Sequence, residues 1–195
     1  LHLGNGASAA AIRGGRCVDT SMGMTPLEGL VMGTRGGDID PGALLHLLRQ
    51  GISVAELDRE LNQRSGLRGL CGDNDMRRVR QLAAQGDERA GFALDLYAYR
   101  LRKYIGAFFA VLGRVDAVCF TGGIGEHDAA LRAAVIDELP GLGLRLNPQL
   151  NCEPGDQVRP VHAADSGVAV LVVPTDEESQ IAREVHYLLL QQGID

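Results

Sequence analysis

With 195 residues, 45% of them apolar and 23% charged, the chain has the size and balance of one ordinary globular domain, long enough to bury a real core. Its formal net charge is −6 and no basic cluster is longer than Arg77-Arg78 or Arg102-Lys103, which argues against nucleic acid as a partner. No apolar run approaches the ~20 residues of a membrane-spanning helix and no secretory leader pattern stands at the start, so a cytoplasmic protein without a membrane partner is expected.

Leu1-His2-Leu3 reads as the end of a strand already under way, so the chain is expected to be part of something longer. A polar turn, Gly4-Asn5-Gly6, follows. Ala9 to Arg13 and Arg16 to Thr20, joined by Gly14-Gly15, then carry the signal of an antiparallel hairpin. Asn5 is either a turn residue suited to positive φ or a phosphate contact facing a second loop across a cleft.

Thr25-x-x-Glu28 with Pro26 between them combines a capping box with proline at the first helical position, and predicts a helix start. Asp40-Pro41 is a second such start. Between the two lies Arg35, flanked by Gly33, Gly36 and Gly37, which offer its stem no apolar surface. It is either a solvated loop arginine or, in a phosphate-handling protein, the group that neutralises charge on a transferring phosphoryl.

Ala43 to Gln50 and Val54 to Ser65 predict two short amphipathic helices, with Gly66 to Asn74 a turn-rich loop. Asp75 or a neighbour caps a further helix through Val79, Leu82 and Ala83. Asp87 to Gly113 is the longest periodic stretch; Leu94, Tyr97, Leu101, Tyr104, Ile105, Phe108 and Leu112 recur at three- and four-residue steps and mark a core helix.

That helix leads into Asp116 to Phe120, a short apolar run broken by Gly122, Gly123 and Gly125 before a helical pattern from His127. Strand, glycine turn and helix place several N–H groups in one direction, a geometry suited to phosphate or simply to a tight turn. The third glycine of a dinucleotide fingerprint and the Lys-Ser/Thr pair of a P-loop are both missing.

Downstream, Ala129 to Leu139 predicts a helix, Gly143 to Asn147 a strand, residues 151–167 irregular structure, and Val168 to Val173 a buried strand. Thr175-x-x-Glu178 opens the last helix as a capping box, with Ile181, Val185 and Leu189 on its buried face. Glu177 faces outwards, either complementing the helix dipole or meeting Mg²⁺. Cys17, Cys71, Cys119 and Cys152 lie in unrelated contexts and read as reduced thiols.

The element order gives an α/β fold, a mixed sheet flanked by helices with two phosphate-competent turns, as in the actin-like, sugar-kinase and Hsp70 ATPase (ribonuclease H-like) architecture. The wording of the motifs goes further. His2-Leu3-Gly4-Asn5-Gly6-Ala7-Ser8, Asp19-Thr20-Ser21-Met22-Gly23, Thr25-Pro26-Leu27-Glu28-Gly29, Gly33 through Pro41 with Arg35 inside it, and Phe120-Thr121-Gly122-Gly123-Ile124-Gly125-Glu126 together resemble the acetate kinase family. The match is to the C-terminal half of that family.

The resemblance implies that residues 1–195 are the C-terminal nucleotide-binding domain of a two-domain kinase whose N-terminal domain lies outside this chain. It implies ATP-dependent phosphoryl transfer to acetate, giving acetyl phosphate and ADP by direct in-line transfer with Mg²⁺ or Mn²⁺. By motif, His2, Leu3, Gly4, Asn5 and Gly6 together with Gly123, Ile124, Gly125, Glu126 and His127 would hold the nucleotide phosphates. Asp75, Met76 and Arg77 would border the adenosine, Arg35 would be the catalytic arginine, Pro26 would wall the acetate pocket and Glu177 would be the metal-associated acid.

Relative to the family pattern, His127 replaces Asn, Met76 replaces Phe, and Gly72-Asp73-Asn74 replaces a Ser-rich loop. The resemblance also implies a homodimer, and a missing lobe without which the chain does not turn over. Propionate or butyrate kinase, or a non-catalytic nucleotide-binding dimerisation module, are the alternative expectations.

Overall fold

The computed structural model describes residues 1–192, and its organisation follows the local signals in most places. The chain opens with β1 (His2–Leu3) and β2 (Ala7–Ser8), antiparallel across the Gly4–Gly6 turn. Then come β3 (Ala10–Arg13) and β4 (Arg16–Thr20), an antiparallel hairpin closed by Gly14 and Gly15, both at positive φ.

Helices α1 (Pro41–Arg49) and α2 (Val54–Gln63) follow, started by Asp40 and by a Ser53–Glu56 capping box. Next are α3 (Gly66–Cys71), α4 (Met76–Ala84) and the long α5 (Glu88–Leu112). Aspartates begin the last two: Asp75 accepts the Arg77 amide, and Asp87 accepts the Arg89 and Ala90 amides. α5 is the spine of the domain, burying Ala90, Ala93, Tyr97, Ala98, Leu101, Ile105 and Phe108 against α3, α4 and β3.

The second half alternates β5 (Ala117–Phe120), α6 (Gly122–His127), α7 (Ala129–Ile136), α8 (Pro148–Cys152), β6 (Arg159–Pro160), β7 (Ala169–Val172) and α9 (Glu177–Gln192). β5 and β7 pair in parallel with β6 antiparallel on the far side of β7, so this sheet is mixed. β1 adjoins β5 through a parallel bridge, His2 to Thr121, and Leu3 N–H donates to Thr121 O at 2.7 Å. That bridge sets the Gly4–Gly6 turn beside the start of α6.

Several expectations are corrected. Thr25 to Glu28 starts no helix; the chain bends there, and Gly29, Leu30, Val31 and Met32 are buried in succession, which a one-sided helix would not allow. The Gly66–Asn74 loop contains α3, whose glycines hide a helix anchored by the fully buried Leu67. Gly143 to Asn147 forms only an isolated bridge between Leu146 and His162, and the irregular 151–167 segment contains β6.

The helix expected from His127 starts five residues earlier, with α7 beginning separately at Ala129. At α9, Asp176 rather than Thr175 accepts the Ser179 amide, because Thr175 is engaged elsewhere. Ile181 and Val185 are 62% and 49% exposed, since no element among the described residues covers that face.

Candidate functional site

The two glycine turns converge. A groove of about 560 Å³ opens between the Gly4–Asn5 turn, the first turn of α4 and the start of α6. Asn5 is held from two sides: its side-chain oxygen accepts from Asn74 Nδ2 at 3.1 Å, and its carbonyl accepts from Gly33 N–H at 2.8 Å. The Gly4 amide closes the turn onto Gly6 O at 2.9 Å.

Asn74, Asp75, Met76 and Arg77 make the second wall. Asp75 accepts both Nε and Nη2 of Arg77, at 3.0 and 2.6 Å, besides capping α4. The Arg77 hydrogen bonds hold its carboxyl at about 2, so it stays ionised through ordinary pH. Met76 is buried and contributes an apolar face.

Gly123, Ile124 and His127 form the third wall. No side chain caps α6, so its leading N–H groups are left for an outside acceptor. Gly122 must be small because the helix packs on β1, where a Cβ at its φ of +78° would stand 2.8 Å from Leu3 O, whereas a Cβ at Gly125 would make only ordinary contact, 3.7 Å from Leu3 Cβ.

Arg35 sits at one end of this arrangement. Its Nη1 donates to Pro26 O at 2.8 Å, and its Nη2 lies against Gly6, where an added Cβ would approach within 2.8 Å. The loop bearing it is fixed throughout. Ser65 N–H donates to Thr34 O at 3.0 Å, Met32 N–H donates to Arg35 O at 2.9 Å, and Asp38 accepts from Gly29 N–H, Arg100 and Tyr104. Glu177, at the start of α9, has Oε1 3.7 Å from His2 Nε2.

The residues named from sequence therefore divide. Gly4, Asn5, Asp75, Met76, Arg77, Gly123, Ile124 and His127 line the groove. Gly6, His2, Arg35, Pro26 and Glu177 border the first turn from outside that groove. Leu3 and Gly125 are buried in the β1–α6 contact, and the Glu126 carboxylate turns to Thr175, so the side chains of Leu3 and Glu126 do not face the groove.

Arg80 and Asp128, paired with each other, line the groove although no sequence pattern assigns either a role in a site, as does Asn74, which the sequence marks only as part of a loop departing from the family pattern. Asp128 carried a local signal, the N-cap of α7, but Arg80 had none.

The family model for the acetokinase family matches residues 1–183. The chain belongs to the acetokinase family. It is 59% identical over 194 residues to an acetate kinase of Streptomyces coelicolor, covering 99% of this chain and 48% of that one. An acetate kinase of Leifsonia xyli is 58% identical over 185 residues, covering 94% and 47%.

Among solved structures, acetate kinase of Porphyromonas gingivalis superposes with a TM-score of 0.91 at 41% identity, over 96% of this chain and 48% of that one. A propionate kinase of Francisella tularensis superposes at 0.88 with 43% identity, over 94% and 47%. The α/β architecture is thus that of the acetokinase family, and the chain spans about half the length of the relatives it matches.

Proposed function

We propose that the chain is the C-terminal nucleotide-binding domain of an acetate kinase, completed by a second lobe of similar size and by dimerisation with another copy. The observation that carries this is the convergence of the Gly4–Asn5 turn and the α6 turn on one groove, with Arg35 against Gly6. ATP and ADP phosphates would lie between those turns, with the base along Met76.

Phosphoryl transfer asks a protein mainly for alignment and for positive charge around the equatorial oxygens. A carboxylate oxygen of acetate attacks the γ-phosphorus as the bond to the β–γ bridging oxygen breaks, giving acetyl phosphate and ADP. Arg35 already spends one nitrogen on Pro26 O, which orients the guanidinium and leaves its other N–H groups for the transferring phosphoryl. Pro26, exposed beside it, would border the acetate methyl.

Mg²⁺, or Mn²⁺ in its place, would neutralise charge between the β- and γ-phosphates. The residues present fit such an ion: Mg²⁺ bound to a nucleotide keeps waters and phosphate oxygens and needs only one or two carboxylates. Asp75 and Asp128, which line the groove, are paired with Arg77 and Arg80, so Glu177 beside His2 would be the carboxylate that meets the ion; no cluster of three or more metal-ligating side chains occurs among the described residues.

In the full-length protein, Arg35→Ala should lower kcat by about 10³-fold or more with nucleotide binding retained; a non-catalytic binding module would change little. Robust acetyl phosphate formation by residues 1–195 alone would overturn the two-lobe assignment. The propionate kinase likeness keeps a second acyl substrate in view. Comparing kcat/KM for acetate and propionate decides between them.

A further inference from the structure

Glu126 lies in the glycine-rich segment yet turns away from the groove. Its Oε1 accepts two hydrogen bonds from one residue, Thr175 N–H at 3.0 Å and Thr175 Oγ1 at 2.8 Å. Thr175 lies on the turn between β7 and α9, two positions before Glu177, so the contact ties the end of α6 to the turn that presents that acid.

The α6 side of the tie is rigid. Arg132, 1% exposed, donates through Nη1 to Gly125 O at 2.8 Å and to Glu126 O at 3.0 Å. The rest of its guanidinium is taken by Asn151, with Nε to Oδ1 and Nη2 to the backbone oxygen both at 2.7 Å. Gly125 packs on Phe120 and Leu3. Shifting the Glu126 backbone would leave a buried charge and buried carbonyls unpaired, a costly state.

The other side is tethered at few points. Val173 N–H donates to Phe120 O at 2.8 Å, and beyond it the Asp176 carboxylate caps the Ser179 amide. Neither bond reaches α6. Among the hydrogen bonds of the described residues, the Glu126 clasp is what relates the 175 turn to that helix, and Glu177 then stands beside His2 on β1.

We infer that Glu126 is a positioning residue, holding the Thr175–Glu177 turn at a fixed place relative to the α6 amides so that metal and phosphates are gripped together. This rests on the kinase reading above. It differs from a direct nucleotide contact by Glu126, for which the carboxylate faces the wrong way.

The test compares Glu126→Ala, Glu126→Gln and Thr175→Val in the full-length protein, reading fluorescent N-methylanthraniloyl-ADP binding with Mg²⁺ and with EDTA, and the Mg²⁺ concentration for half-maximal turnover. Loss of a group that orients a metal ligand typically weakens metal affinity by about 10- to 100-fold. Glu126→Ala should therefore raise the half-maximal Mg²⁺ about tenfold while binding in EDTA stays within about twofold. Glu126→Gln, which keeps the Oε1 acceptor, should restore most of the loss, and Thr175→Val should fall between.

Amide exchange at Thr175 supplies a readout independent of turnover: it should quicken in Glu126→Ala and not in Glu126→Gln. Unchanged Mg²⁺ dependence in Glu126→Ala overturns the proposal, as does an equal loss of ADP affinity with and without metal. A wild-type protein that neither binds nucleotide nor turns over would overturn the kinase reading itself. A wild-type that turns over with an insensitive Glu126→Ala removes only the clasp.

Discussion

The guanidinium of Arg35 occupies the space that a side chain on Gly6 would need, with Nη2 2.8 Å from the ideal Cβ position. The obstructing atom is the end of a flexible side chain, and Gly6 is not at positive φ, so the backbone tolerates alanine there. Gly6→Ala should fold with a melting temperature close to wild type while pushing Arg35 aside. Displacing a catalytic group by about 1 Å can cost on the order of 10²-fold in rate. Steady-state kinetics of the full-length variant should show kcat reduced by that order, and an unchanged kcat would mean that Arg35 does not act from this position.

Gly66 makes the opposite case, where the fold rather than the chemistry is at stake. It has φ of +61°, and a Cβ would meet Met32 O at 2.2 Å and Arg35 O at 2.6 Å, both rigid backbone atoms. Gly51, at φ of +95°, has nothing within 4 Å of a Cβ. The left-handed conformation alone costs a non-glycine residue about 1–2 kcal/mol, which is the expected loss for Gly51→Ala. Gly66→Ala should lose clearly more, roughly 3 kcal/mol once the strain of moving the Arg35 loop is added. Urea denaturation of the two variants side by side measures the difference, and equal losses would contradict the contact.

Where sequence and structure agree, the information is local. The β3–β4 hairpin is written in Gly14-Gly15, α5 in its apolar stripe, and β5 with its glycine turn in a short apolar run followed by breakers. Where they part, a distant partner has outbid the local signal. The Thr25–Glu28 box fails because Arg35 takes Pro26 O, and the segment after it bends inward to bury Leu30, Val31 and Met32 in the core. At Thr175 the hydroxyl caps no helix because Glu126 binds it.

The groove was half legible for the same reason. Gly4, Asn5, Gly123 and Ile124 announce themselves through turn chemistry, whereas Arg80 and Asp128 meet across 48 positions of sequence and only the fold brings them together.

Tyr104 adds a pH dependence to the Arg35 loop. Its hydroxyl donates to both oxygens of Asp38, at 3.0 and 3.1 Å, and Asp38 also holds Gly29 N–H. Burial first, and then the hydrogen bond to Asp38, push the phenol up to about 12. In the unfolded chain it ionises near 10. The unfolded state thus releases the proton first, and the stabilisation is complete below about pH 10 and disappears as pH rises through 12. Tyr104→Phe should cost about 1.5 kcal/mol at neutral pH, the usual worth of a hydrogen bond to a charged acceptor. Its unfolding midpoint should also fall less steeply between pH 10 and 12, and parallel wild-type and variant curves would exclude Tyr104 as the source.

Arg132 gives the sharpest contrast between charge and connectivity. Burial pushes its pKa down to about 10, the largest cause, and it still carries its proton at neutral pH. Four hydrogen bonds to Gly125, Glu126 and Asn151 compensate for that burial. Arg132→Met matches the length of the stem but strands three backbone carbonyls and the Asn151 side-chain oxygen, and should destabilise by about 3 kcal/mol. Arg132→Lys keeps the charge with a compact head that can satisfy the α6 carbonyls or Asn151 but not both in fork geometry. It should recover only part of the loss in chemical denaturation. Full recovery by lysine would show that a positive charge suffices at this position, and that the planar fork joining α6 to α8 is dispensable.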